Sequence, residues 1–230
     1  MAVNSKPKKN EASNIEEYVS KSEAFIIKNK NIIIGAILAI CVVIAGIILY
    51  KKYYAEPREN KAQVALIPSE RYFENDLYQE ALAGDSLSIG FLKIIDQYKG
   101  TDAANLAKAY AGICYAQTGE YEKAISYLDG FKGGDAMVGP AMKGTIGNCY
   151  AQLGKMDKAI SYLEKAAKEA NDNTLSPIYL LQAGQLWIKQ GNYSKALSDF
   201  ETIKKQYTRS YQAMDIDRYI EQAKLFLEKK

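Results

Sequence analysis

The sequence predicts an all-α protein, with an N-terminal transmembrane helix followed by a solenoid of helical hairpins and a C-terminal capping helix. Three observations predict it. A thirteen-residue signature occurs three times after residue 110. The nineteen residues from Ile32 to Tyr50 carry no charge and no proline. The tail from Asp215 to Glu228 places Ile216, Tyr219, Ile220, Ala223 and Phe226 on one helical face, with charges elsewhere.

The organisation follows as four segments. Residues 1–30 are polar and end in an amphipathic stretch, and 31–50 form the transmembrane helix. Residues 51–100 are a linker and a first helical hairpin, and 101–230 are three repeats plus the capping helix. Residues 1–13 have the composition of a disordered tract. Ile15, Tyr18, Val19, Ser22, Phe25 and Ile26 then recur at helical spacing.

As a helix, the uncharged run spans roughly 28 Å, close to a bilayer core of about 30 Å. Lys28 and Lys30 flank one end; Tyr50, Lys51, Lys52, Tyr53 and Tyr54 flank the other. Tyrosines and snorkelling lysines are interface anchors. A cleaved signal peptide has a shorter apolar region and a small-x-small site after it. A lipoprotein signal would need a small residue before Cys41, and Ile40 stands there. Lys21, Lys28 and Lys30 on one side balance Lys51, Lys52, Arg58 and Lys61 on the other. The six lysines of residues 1–30 tilt the N-terminus toward the cytoplasm.

Beyond the anchor, Pro57 is expected to interrupt the helix and Pro68 to start the next. Ala62, Leu66, Phe73, Leu77, Ala81 and Leu82 predict helix, Gly84-Asp85-Ser86 a break, and Leu87, Phe91, Ile94, Ile95 and Tyr98 a second helical stripe. This hairpin reads as a divergent first repeat, or an N-terminal cap, without the signature.

The signature reads Gly112-x-x-Tyr115-x-x-x-Gly119-x-Tyr121-x-x-Ala124. It returns from Gly147 through Tyr150, Gly154 and Met156 to Ala159, and from Gly184 through Trp187, Gly191 and Tyr193 to Ala196. A period near 35 residues marks stacked repeats. The helix pairs are predicted at 103–117 with 121–130, 140–153 with 156–170, and 177–190 with 193–207. A mid-helix glycine costs about 1 kcal/mol relative to alanine, so three at one register need a reason. Close approach of the partner helix supplies it. The aromatic fills the space between helices, the second glycine ends the first helix, and the alanine marks a tight crossing.

Composition narrows the function. There is no histidine, which removes the commonest general base and metal ligand. Residues 51–230 hold 24 Lys and Arg against 23 Asp and Glu, unlike the basic footprint of a nucleic-acid binder. No cofactor motif or phosphate loop is present, and the reading is a non-enzyme. Cys114 and Cys149 sit two residues after signature glycines, at a buried position that suits a small apolar side chain. Neighbouring repeats lie on the order of 10 Å apart, beyond disulfide reach, so free thiols are expected.

Each copy resembles a tetratricopeptide repeat, down to the Lys-Ala-Ile/Leu-Ser of Lys123–Ser126, Lys158–Ser161 and Lys195–Ser198. The usual closing proline is absent at Ala136, Asn171 and Thr208, and Lys108 and Lys143 stand where a large residue is usual. The wider layout resembles the single-anchor repeat proteins of Bacteroidetes envelopes and, distantly, the YfgM-like ancillary group of the Sec translocon. That resemblance implies a periplasmic repeat domain on a bacterial inner-membrane anchor. It also implies a concave groove lined by each repeat's first helix, which carries over to Tyr110, Ile113 and Gln117; Thr145, Asn148 and Gln152; and Ile178, Gln182, Gln185 and Lys189. The amides among them can donate to and accept from an extended backbone. The expected partners are therefore proteins or peptides in the groove, plus the membrane through the anchor. The function implied is a scaffold or chaperone-like adaptor. The alternative is a structural subunit held mainly through its anchor, where Gly35, Ala39 and Gly46 offer small faces.

Overall fold

The computed structural model describes the backbone of residues 10–86, 88–133 and 135–229, and side chains from Phe25 onward. Residues 1–9, the side chains of Ile15, Tyr18, Val19 and Ser22, and Leu87 of the second stripe lie outside the described residues. The chain divides into two units, Met1–Pro57 and Arg58–Lys230.

The first unit is helix α1 (Asn10–Tyr50) with a π-helical turn at Lys51–Ala55. The helix starts at Asn10, inside the tract expected to be disordered, because extending an existing helix by a few Asn, Glu, Ala and Ser residues costs little. From Phe25 onward its apolar side chains are exposed, Ile32 at 73% and Val42 at 71%, apart from the half-buried Ile33. None of its apolar window is buried. One helix long and apolar enough to cross a membrane is therefore present among the described residues.

Pro57 does not stop the helix. The Glu56 N–H reaches back five residues to the Lys51 carbonyl, and α2 (Glu56–Glu74) carries on. A wider turn just before a proline keeps its ring off the carbonyl four residues earlier. Pro68 likewise lies inside α2 and does not begin it.

The second unit is helical throughout its described residues apart from turns and one isolated bridge, Gly84 to Ile89. After α2 come α3 (Tyr78–Ala83), α4 (Phe91–Gln97), α5 (Asp102–Gln117), α6 (Tyr121–Asp129), α7 (Val138–Gln152) and α8 (Met156–Ala170). Helices α9 (Ser176–Lys189), α10 (Tyr193–Gln206) and α11 (Tyr211–Glu228) complete it. The second stripe becomes helical only at Phe91, because Gly84, at φ 77°, turns the chain so tightly that a Cβ on Gly90 would lie 2.2 Å from the Leu82 carbonyl oxygen. Leu77, expected within a helix, instead sits in the turn before α3 and is exposed. The capping helix starts four residues early, at Tyr211, where the Ser210 hydroxyl accepts the Ala213 N–H at 3.2 Å.

The signature does what its spacing predicts. A Cβ on Gly112 would stand 2.5 Å from Leu128 Cγ, one on Gly147 2.8 Å from Leu163 Cγ, and one on Gly184 2.3 Å from Phe200 Cε1. Gly119, Gly154 and Gly191 hold φ of 82°, 71° and 73°. The next N–H in each case reaches back five residues, to Tyr115, Tyr150 and Trp187. Ala124, Ala159 and Ala196 are fully buried. All three cysteines are free, Cys114 and Cys149 in the core and Cys41 exposed on α1. Asn171, where a closing proline is usual, ends α8 in the left-handed conformation at φ 46°.

The hairpin before residue 100, expected to lack the signature, carries a degraded copy. Ser69, Tyr72, Asp76, Tyr78 and Ala81 stand at the signature offsets, with Ser and Asp replacing the two glycines. Ser69 and Ala81 are fully buried. Asp76 holds φ 59°, and the Leu77 N–H reaches back to the Tyr72 carbonyl at 2.9 Å. The unit thus has four stacked hairpins, the first with its second helix split into α3 and α4 by the Gly84 turn. Adjacent residues brace this hairpin and tie it to the next repeat. Arg58 donates to the carbonyls of Gln97 and Lys99 at the end of α4, and the Glu59 carboxylate accepts the Asp102 and Ala103 N–H groups that open α5. Each charge meets the helix end of opposite polarity.

Two core clusters run along the stack. Phe91, Ile94 and Cys114 centre one. Leu163, Phe200 and Ile203 centre the other, which α11 closes with Ile216, Ile220 and Ala223. Each such aliphatic or aromatic side chain contributes about 1.5–3 kcal/mol of burial.

Candidate functional site

The ten residues carried over to the groove fall on the first helices α5, α7 and α9, at one register in each. Gln117, Asn148, Gln152, Gln185 and Lys189 are exposed; Tyr110, Ile113, Thr145, Ile178 and Gln182 are half-buried. The rows arise because the other faces of these helices are committed. On α5, Ala107, Ala111 and Cys114 pack inward, and Gly112 and Tyr115 meet α6.

Three of the ten lean away from solvent. The Tyr110 ring stacks on Phe91 at 5.1 Å and meets Phe73 edge-on at 5.0 Å. Burial raises its hydroxyl pKa first, and its hydrogen bond to Glu70 and the nearby Glu74 add to this. The Thr145 hydroxyl donates to the Ala141 carbonyl of its own helix at 3.0 Å. Gln182 keeps a buried side-chain oxygen without a hydrogen-bond partner.

Sequence reasoning predicted helix over α2 but gave it no place in the groove. The Ser69 register makes Glu74 the counterpart of Gln117, Gln152 and Lys189, each five residues after its signature position. Gln63, Ile67, Glu70 and Glu74 therefore form a fourth row, and the Glu70 contact with Tyr110 places it beside α5. A shallow depression of about 530 Å³ runs along it, lined by Asn60, Gln63, Ile67 and Glu70. The signal was present in Tyr72, Tyr78 and Ala81, but with both glycines replaced it does not stand out.

On the opposite side of the first helices, the signature lysine of each repeat lies over the signature aromatic. Lys123 sits 5.1 Å from the Tyr115 ring centre, Lys158 5.4 Å from Tyr150 and Lys195 4.1 Å from Trp187. Tyr127 stacks on Tyr115, and Tyr162 packs against Tyr150 at a tilt of 41°. The third repeat has Asp199 there, and Trp187 Nε1 donates to Glu164 instead.

A cavity of about 600 Å³ opens between α4, α5 and the end of α6. Lys99, Lys108 and Lys132 face Asp96 and Asp102 around it, so its charges largely cancel. Asn105 and Lys108 are already bonded to backbone groups of Gly130 and Lys132. That arrangement fastens the loop after α6 and leaves little free polar capacity.

Stacked hairpins with a row of amide, apolar and charged side chains along the first helices define a helical-repeat binding solenoid. Comparison with known families makes this specific. Residues 141–173 and 179–210 match models of the tetratricopeptide repeat, so the chain carries repeats of that kind. Two crystal structures of TPR-like repeats from a protein described as a kinesin light chain of Podosopora anserina, one a single-residue variant, share the fold. Both are 12% identical, span 75% of this chain and 89% of theirs, and give TM-scores of 0.55 and 0.53. No curated protein matches the chain. Tetratricopeptide repeats bind proteins or peptides, and at that level the chain is a protein-interaction scaffold.

Proposed function

We propose that this chain is a membrane-tethered interaction scaffold, or chaperone-like adaptor, of a bacterial cell envelope. The span from Ile32 to Tyr50 anchors it in the inner membrane, residues 1–30 stay in the cytoplasm, and the repeats work in the periplasm. Its partners are envelope proteins, including chains emerging from a translocon. The observation that carries this reading is the open row on the first helices, where Gln117, Asn148, Gln152, Gln185 and Lys189 remain exposed while the other faces are packed. Amide side chains supply both donors and acceptors to an extended main chain. The apolar window of α1, none of it buried, supports the anchor, since such a surface in water would be a large aggregation liability.

In-cell photocrosslinking from Gln152 and from Ala39, with partners identified by mass spectrometry, tests this. Crosslinks to envelope proteins from Gln152 support the groove. Crosslinks from Ala39 alone favour a subunit held through its anchor. The triple variant Asn148→Ala, Gln152→Ala, Gln185→Ala should lose partner capture at unchanged thermal stability; retained capture removes the groove from the mechanism.

A further inference from the structure

We infer that the groove takes an extended peptide segment with a basic side chain over α2 and an acidic side chain over α9, roughly nine residues apart. This deepens the groove reading above and rests on it.

The inference begins with register. Because Ser69 aligns with Gly112, Gly147 and Gly184, one line crosses the four first helices at Glu74, Gln117, Gln152 and Lys189. All four are exposed. The line runs from a carboxylate through two amides to an ammonium. Glu70, one turn earlier on α2, adds a second carboxylate beside Glu74, and both lie near the Tyr110 hydroxyl. Glu74 and Lys189 form no ion pair among the described residues. The groove therefore has an acidic end, a neutral middle with hydrogen-bonding capacity on both sides, and a basic end.

Length follows from packing. Adjacent helices pack about 10 Å apart, so three steps from α2 to α9 cover about 30 Å. An extended chain rises about 3.3 Å per residue, which sets the spacing of the two charges at roughly nine residues. The amides at Gln117 and Gln152 match the main chain between them. Unlike charges at both ends select one orientation and reject segments of uniform sign.

Binding of fluorescein-labelled, end-capped decapeptides of Ser, Asn and Leu to the full chain in detergent micelles tests this by anisotropy. Five probes are compared. Two carry Lys at one end and Glu at the other, in the two chain orders; the others carry two Lys, two Glu or no charge. One mixed order should bind about fivefold tighter than the uncharged probe, as expected for two exposed ion pairs, and the gap should shrink at high salt. Lys189→Glu should move the preference to the two-Lys probe, and the double variant Glu70→Gln, Glu74→Gln should abolish the preference for lysine. Equal binding of all five probes overturns the inference and leaves the groove standing. Tightest binding of a single-sign probe by the unaltered chain also overturns it. Binding of none overturns the inference and the groove reading together.

Discussion

Asp76 repeats the backbone of Gly119. Both hold positive φ, 59° and 82°, and both are followed by an N–H that reaches back five residues to a tyrosine carbonyl, at 2.9 Å and 2.8 Å. Glycine adopts that conformation freely and other residues do so at a cost of about 1 kcal/mol. The first hairpin therefore keeps the turn of the others while lacking their glycine, and Asp, with a short polar side chain, is among the few residues that tolerate it.

Substitution at that position should report the backbone directly. Asp76→Gly and Asp76→Ala both lose the carboxylate that accepts the Tyr78 hydroxyl, so their difference isolates the conformation. The glycine variant should be the more stable by about 1 kcal/mol in thermal melts of the full chain in detergent. Equal melting of the two would remove the left-handed turn from the account.

The mid-helix glycines should not be equivalent. Alanine gains about 1 kcal/mol of helix propensity at each, opposed by overlap with the partner helix. At Gly184 the new methyl meets the ring of Phe200, which is fully buried and has nowhere to turn. At Gly147 its nearest neighbour is Leu163 Cγ at 2.8 Å, the loosest of the three contacts. Gly184→Ala should destabilise most, by roughly 2–3 kcal/mol, and Gly147→Ala least. Melting temperatures of the three single variants decide the order.

The positions of the repeats were legible in the sequence because glycine acts twice in each, once for space and once for φ, and both roles survive as a letter. Helices α5 to α10 begin and end within about two residues of the limits read from the spacing, a scatter that assignment alone produces. The region before residue 100 was not legible to the same depth. Pro57 and Pro68 read locally as breaks, yet a π turn absorbs the first and α2 runs on through the second. The signature at Ser69 keeps its aromatics and alanine but neither glycine, so its register, and with it the fourth row of the groove, emerges only when φ and hydrogen bonds are known. The groove residues themselves came from resemblance, and the structure adds that Tyr110 and Thr145 spend part of their polar capacity within the fold, while Gln182 buries a side-chain oxygen that has no partner.

Cys114 and Cys149 should behave as core atoms. Burial pushes their thiols up to about 12 and about 11, which leaves almost no thiolate at pH 8. Maleimide should add to neither in the folded chain and to both after denaturation. Intact mass before and after denaturation reads this, and labelling of either in the folded chain would mean that the helix pair opens faster than the reagent reacts.

Asp199 is the place where pH should reach stability. It stands where the earlier repeats have Tyr127 and Tyr162, and one of its carboxylate oxygens is buried without a partner. Burial, with repulsion from Glu164, pushes its pKa from 3.8 up to about 7, while Lys195 works in the other direction. A raised folded-state pKa favours the folded chain fully below pH 3.8, where both states are protonated. That advantage is lost as pH rises toward 7, because the unfolded chain ionises first. Asp199→Asn keeps the shape and removes the ionisation. It should stabilise the protein by on the order of 1–3 kcal/mol at pH 8 and much less at pH 5. Trp187, the chain's one tryptophan, donates to Glu164 beside this carboxyl and offers a second readout. Its emission should titrate with a midpoint near 7 in the unaltered protein and lose that transition in the variant. A flat emission profile in both, or equal stabilisation at the two pH values, would show that Asp199 is ionised across the range and solvated in the folded chain.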